Sequence, residues 1–260
     1  MFAKYKIHID DVREMNTSLS LPQYIQSSIE KDSINLLLEN EDGIIDGEKL
    51  KTEYFPTKLK SKYNVFISHS HRDIEEIERF AKTLEDKYGV HCFVDSMIWK
   101  NIADLQYSID NNYSRGKNGN LDYRLVRQST AHIHSLLSIA LFEMIDQCEC
   151  CIFVQSDNSL RIDFNDTTTL SPWIYEEIYY MNHTKRILPN RISPSTRLFS
   201  VLNESRRTET FIKMTHMVDL SDFNDFCSCL PSPNNHVRGD DFLNHLYWKS
   251  GLVDCSINTM

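Results

Sequence analysis

Cys150-Cys151-Ile152-Phe153-Val154 is an apolar run without a polar interruption. A strand with one wet face alternates apolar and polar residues. An unalternating run is the mark of a strand covered by helices on both faces, as in a parallel sheet. The flanks agree. Upstream, Ile133, Leu136, Leu137, Ala140, Leu141, Met144 and Ile145 follow the i, i+3, i+4, i+7 template of an amphipathic helix. Downstream, the polar stretch Gln155-Ser156-Asp157-Asn158-Ser159 is followed by Ser171-Pro172, an N-cap residue with proline at the first helical position.

The same rhythm extends in both directions. Asn64-Val65-Phe66-Ile67-Ser68 reads as a short buried strand. Ser70 to Asp73 has capping-box spacing, with Asp73 as the acid. Ile74, Ile77, Phe80, Ala81 and Leu84 supply the next apolar stripe, and Gly89 is placed to end that helix. Val90 to Val94 reads as the second strand. Strands are expected near Ile187-Leu188 and Met217 to Leu220, and a last helix from Asp240. Alternating β and α units imply an α/β fold with a parallel sheet and right-handed crossovers.

This pattern predicts a main domain over 62–254, with a polar insertion around 113–130 centred on Arg115-Gly116-Lys117-Asn118-Gly119-Asn120. Residues 255–260 read as a tail. Residues 1–61 read as a small helical appendage: Leu21, Ile25 and Ile29 share a helical face, Ile34, Leu37 and Leu38 begin another, and Gly43, Gly47 and Pro56 break the pattern.

Composition narrows the function classes. The chain has 260 residues, 41% hydrophobic and 25% charged, with a formal net charge of −9. That balance argues against nucleic acid as a main partner, because phosphate backbones are held by clustered Lys and Arg. No stretch approaches a membrane span or a secretory signal, so a cytoplasmic protein is expected. The seven cysteines, an odd number, include Cys148, Cys150 and Cys151 inside one apolar run. They read as buried thiols of a reducing compartment rather than disulfides or a zinc site. His132 and His134, two apart on a helix, point nearly opposite ways and cannot chelate one ion. No metal site is expected. The seven glycines form neither GxGxxG nor a Walker loop after a strand, which sets aside dehydrogenases and P-loop NTPases.

In an open parallel sheet, ligands bind outside the carboxyl ends of the strands. That rule nominates Ser68-His69-Ser70-His71, Asp95-Ser96-Met97-Ile98-Trp99, Gln155 to Ser159 and the helix opened by Ser171.

Tyr63-Asn64-Val65-Phe66-Ile67-Ser68-His69-Ser70 with Asp73 resembles the opening strand and loop of Toll/interleukin-1 receptor (TIR) domains. His91-Cys92-Phe93-Val94-Asp95 resembles their second strand, and the residues after it hold the position of the family's BB loop. Ser171-Pro172-Trp173-Ile174-Tyr175-Glu176-Glu177-Ile178 resembles the Ser/Trp/Glu segment, and Val218-Asp219-Leu220-Ser221 the last strand. Ser96-Met97-Ile98-Trp99 and the helix from Ser129 to Asp146 are similar to bacterial TIR proteins with an extended second helical region. The chain departs in two places: the BB-loop position carries no Gly or Pro, and the loop after the first strand carries His69 where some enzymatic members have Arg.

The resemblance implies a flavodoxin-like TIR fold and one of two functions. Some members are adaptors that bind other TIR domains. Others cleave NAD at the nicotinamide–ribose bond, often in bacterial anti-phage signalling, through a Glu of the Ser/Trp/Glu helix. Aligned on Trp173 and Ile178, that residue is Glu177. On this reading NAD is the substrate and no cofactor is needed. The enzyme self-associates through its TIR domain, and a downstream effector senses the product. A nucleoside deoxyribosyltransferase-like enzyme is a third possibility on the same topology. Helix geometry agrees with Glu177, since Trp173 and Glu177 are four apart and share a face, at the border of buried and open surface, while Glu176 projects away. Trp99 and Trp173 can stack on a base or pack in the core. Ser68, His69 and Ser70 can contact phosphate or ribose, or cap the loop. Asp95 can contact ribose or form a turn.

Overall fold

The structure is a computed structural model that describes residues 1–16, 45–58, 62–99, 102–163, 166–192, 215–233 and 235–253. The helical patterns expected around Leu21–Ile29 and Ile34–Leu38, and the tail 255–260, lie outside the described residues.

In chain order the first elements are β1 (Ala3–His8), α1 (Ile9–Asn16), α2 (Gly47–Tyr54), β2 (Val65–Ser68) and α3 (Ile74–Tyr88). β3 (Cys92–Phe93), α4 (Asp95–Ile98), α5 (Ile102–Tyr113), α6 (Tyr123–Gln147) and β4 (Cys150–Gln155) follow. The rest comprises β5 (Arg161–Asp163), β6 (Asp166–Thr169), α7 (Pro172–His183), β7 (His216–Met217), β8 (Asn224–Asp225), α8 (Phe226–Cys229) and α9 (Asp240–Lys249). They fall into two compact units. One is drawn from Met1–Leu19, Lys62–Val94 and Ile145–Met260, the other from Ser20–Ser61 and Asp95–Met144. The expected boundary at residue 61 is therefore replaced by an interleaved division.

The first unit holds a five-stranded parallel sheet in the order β3-β2-β4-β1-β8, flanked by helices. β4 sits between β2 and β1, buried along its length except for half-exposed Gln155, as its apolar run requires. α3 ends as expected: Gly89 takes the left-handed conformation at φ 66°, and its N–H donates to Glu85 O at 2.8 Å.

Three expectations are corrected. Residues 3–8 are not part of an appendage but form β1, in register with Cys150–Gln155 along its whole length. Lys4 and Lys6 obscure this strand in the sequence. Burial outweighs them: Phe2, Tyr5 and Ile7 are fully covered, each contributing roughly 1.5–3 kcal/mol. The cost falls on Lys4, whose ammonium is buried, donates to Asn182 Oδ1 at 2.7 Å and lies over the Phe223 ring. Desolvation lowers its pKa to about 8, and the Asp222 carboxylate restrains the drop.

Second, Ile187-Leu188 forms no strand, because β1 fills the slot beside β4; Ile187 N–H donates instead to Met1 O at 3.0 Å. Third, the Met217–Leu220 strand does not join the parallel sheet. Met217 belongs to β7 in an antiparallel sheet ordered β5-β6-β7, and the parallel edge is taken by β8.

In the second unit, α6 begins at Tyr123, earlier than expected. Asp122 supplies the start, its Oδ1 accepting from Arg124 N–H at 2.8 Å and Leu125 N–H at 3.4 Å. The region expected as an insertion, 113–130, is thus the connection between α5 and α6 followed by the first turns of α6. Ser129 Oγ donates to Asp110 Oδ1 at 2.6 Å, tying the two helices together. Glu143 on α6 receives Lys51 Nζ at 2.7 Å and Thr57 Oγ1 at 2.6 Å. Burial would raise this carboxyl, but those two hydrogen bonds and the Lys51 charge outweigh it and hold its pKa below the ordinary value. No helix among the described residues is long and apolar enough to cross a membrane.

Candidate functional site

The sheet order places a topological switch between β2 and β4. The chain leaving β2 runs to β3 on one side, and the chain leaving β4 runs to β8 on the other. Diverging connections open a crevice at the carboxyl ends of such a strand pair. Ser68, the last residue of β2, pairs in register with Phe153 of β4 at that edge.

α7 brings a carboxylate to the same place. Ser171 Oγ accepts from Ile174 N–H at 3.3 Å, and Pro172 occupies the first turn, so the helix starts where expected. Ile174, Ile178 and Met181 form its buried stripe. Glu177 is buried with them at 5% exposure rather than standing at the border of open surface, while Glu176 is half-buried. A buried carboxylate needs hydrogen-bond donors. Ser68 Oγ supplies one, donating to Glu177 Oε2 at 2.5 Å. Trp173, one turn before Glu177, is half-buried. The carboxylate also adds to the effect of burial in raising the Cys151 thiol well above its usual range.

The other nominated residues divide. His69 is buried, with Nδ1 3.3 Å from Ile67 O and its ring tilted against His71 at 5.7 Å. Ser70 caps a 3-10 turn over His71–Asp73, its Oγ accepting from Arg72 N–H at 3.4 Å. α3 therefore begins one turn later than a capping box implies, and Asp73 is not the box acid. Its buried carboxylate instead accepts from Ser156 Oγ at 2.5 Å and Asn158 Nδ2 at 2.6 Å, joining the loops that follow β2 and β4. Sequence reasoning missed this role; the only signal was that Asp73 and Ser156 both follow strands on the nominated rim.

Asp95 and Trp99 belong to the second unit. Asp95 opens α4, and its carbonyl accepts from Trp99 N–H at 2.8 Å. Trp99 is 8% exposed, its indole N–H donates to Pro56 O at 3.2 Å, and its ring meets the Phe55 ring edge-on at 5.7 Å. Met97 and Ile98 are half-buried. The residues at the BB-loop position thus form a helical turn followed by a packed indole, because an aromatic neighbour and a backbone acceptor satisfy both ends of the tryptophan.

A cleft of about 470 Å³ opens at the carboxyl ends of β1 and β4, lined by His8, Gln155, Ser156, Asp157, Leu160, Arg161 and Ile162. Of the rim nominated from the sequence, Gln155, Ser156 and Asp157 line it, whereas Ser68, His69, Ser70, Asp95, Trp99, Trp173 and Glu177 are not among its lining residues. Among the described residues, no cluster of three His, Cys, Asp or Glu side chains is arranged to hold a metal ion.

Comparison of the chain with protein-family models, with curated proteins and with solved structures finds no match in any of the three.

Proposed function

We propose that this chain is a TIR-like NAD glycohydrolase that cleaves the nicotinamide–ribose bond and releases ADP-ribose or a signal derived from it. The observation that carries the reading is the Ser68–Glu177 pair at the β2/β4 switch. Nicotinamide leaves as a neutral base from a cationic precursor, so the reaction needs no proton donor for its leaving group. Positive charge develops on the ribose, as in other glycosyl transfers of oxocarbenium character. A fixed carboxylate shielded from water stabilises that charge with little screening and no reorganisation. Ser68 acts here as a positioning residue, orienting one carboxylate oxygen. The resemblance of 171–178 to the Ser/Trp/Glu segment supports the same assignment.

The same burial favours a second reading, a non-catalytic TIR interaction module in which the Ser68 bond only satisfies a structural carboxylate. Self-association and a role in bacterial anti-phage signalling rest on the family resemblance, since Trp99 is packed and offers no exposed apolar loop. Incubating the purified chain with NAD, and separately with a deoxynucleoside, separates these readings from the deoxyribosyltransferase alternative. Nicotinamide release supports the proposal, free base from the deoxynucleoside supports the transferase, and neither supports the interaction module. Mass spectrometry of the product distinguishes ADP-ribose from a cyclised form.

A further inference from the structure

The cleft beside β1 has a chemistry of its own. His8 and Gln155 are the last residues of their strands and are register partners, so their side chains leave the sheet on the same face. His8 Nδ1 lies 3.3 Å from the Asp10 N–H and 3.4 Å from Asp10 Oδ2. Arg161, exposed at the start of β5, adds a guanidinium that suits phosphate oxygens. Asp157 adds an exposed carboxylate of the kind that accepts from a ribose diol. Leu160 and Ile162 give an apolar wall, and Ile162 is 74% exposed at the mouth.

The loop that carries Asp157 is held before any ligand arrives. Ser156 Oγ donates to buried Asp73 and accepts from the Asn158 and Ser159 N–H groups at 3.2 Å. Ser156 N–H donates to Ser159 Oγ at 2.9 Å, and Thr169 Oγ1 donates to Ser159 O at 2.8 Å. A loop fixed at this many points loses little freedom on binding. The volume falls within the roughly 300–1,000 Å³ of small-molecule sites.

We infer that this cleft is a binding site for a 5′-ribonucleotide. Arg161 and His8 take the phosphate, Asp157 takes the ribose hydroxyls, Gln155 meets the edge of the base, and Leu160 and Ile162 cover its face. The inference uses none of the residues assigned to NAD cleavage and stands apart from that reading.

Equilibrium dialysis of AMP against the purified chain tests it, with ribose 5-phosphate and adenosine as competitors. AMP binds saturably at one site per chain, and more tightly than ribose 5-phosphate or adenosine. Arg161→Ala weakens AMP by about tenfold or more, and Asp157→Asn weakens it several-fold. Both side chains are exposed, so the variants keep the parent's circular dichroism. Glu177→Gln leaves AMP affinity unchanged, whatever it does to nicotinamide release. Absence of saturable AMP binding overturns the inference, as does unchanged affinity in both Arg161→Ala and Asp157→Asn. Loss of binding in Glu177→Gln overturns it too, and ribose 5-phosphate binding as tightly as AMP overturns the assignment of a nucleotide.

Discussion

Ser68 and Glu177, 109 positions apart in the chain, meet in a buried 2.5 Å hydrogen bond from the hydroxyl to the carboxylate. A strand end and a helix turn are joined there by two buried polar groups. On the proposed mechanism, Glu177→Gln keeps the size and an oxygen acceptor for Ser68 but removes the charge. Nicotinamide release is expected to fall by about 10²–10³-fold with the melting temperature little changed. Glu176→Gln is expected to retain most activity. A fully active Glu177→Gln protein rejects the mechanism, and dependence on Glu176 instead rejects the helix register.

Ser68→Ala removes one hydrogen-bond donor from a buried carboxylate. The expected cost is about 1–3 kcal/mol of stability, read by denaturant unfolding, together with a drop in kcat larger than any change in KM for NAD. Ser68→Thr restores the hydroxyl and recovers part of both. A stable, fully active Ser68→Ala protein shows that the hydrogen bond positions nothing.

Trp99 is expected to act on stability. Trp99→Ala empties a site closed by Phe55 and Pro56 and is expected to cost about 3–5 kcal/mol. Trp99→Phe keeps an aromatic edge contact and loses only the indole donor, so its effect is smaller. If Trp99→Ala unfolds at the parent denaturant midpoint and raises the KM for NAD, the ring contacts substrate instead.

Asp73→Ala strips the partner from Ser156 and Asn158 together. Loss of an N-terminal cap costs about 0.5–2 kcal/mol, whereas leaving the buried Ser156 hydroxyl unsatisfied costs about 1–3 kcal/mol, and the exposed Asn158 amide turns to water. A loss of about 1–3 kcal/mol, with faster hydrogen exchange at Asn158 and Ser159, is the expected result. A loss confined to the capping range, with exchange unchanged in that loop, rejects the bridge.

Lys4 gives a pH signature. Its folded pKa is lowered to about 8 from 10.5, so between those values the unfolded chain binds more protons than the folded one. Stability from this group therefore rises as pH climbs from about 8 to 10.5, and below pH 8 the full penalty of a buried ammonium remains. The increment is at most about 3 kcal/mol. Comparing urea midpoints of the parent and Lys4→Met at pH 7 and pH 10 isolates it. The advantage of Lys4→Met is expected to shrink toward pH 10. An advantage that does not change with pH rules the linkage out.

The amino-acid sequence by itself determined the α/β class, because local signals carry it. Cys150–Val154 has no polar alternation, Ile133 to Ile145 keeps helical spacing, Gly89 supplies the left-handed stop, and Ser171-Pro172 opens α7. Each of these is a property of a few neighbouring residues. Tertiary structure alone decided which strands pair. β1 reads as a polar segment until Lys4 finds Asn182 and Phe223, and its occupation of the slot beside β4 is what leaves Ile187-Leu188 without a strand. The candidate site shows the same split. The place of Glu177 one turn after Trp173 on α7 was legible from helix register, but its burial and its bond to Ser68 depend on how α7 meets the end of β2. Asp73 follows β2 as expected, but its partner Ser156 is distant in sequence, and Trp99 packs with Phe55 and Pro56 of the second unit, equally distant in sequence. Periodicity reports which face of an element is apolar; only packing across long sequence separations decides which polar atom that face brings to its neighbour.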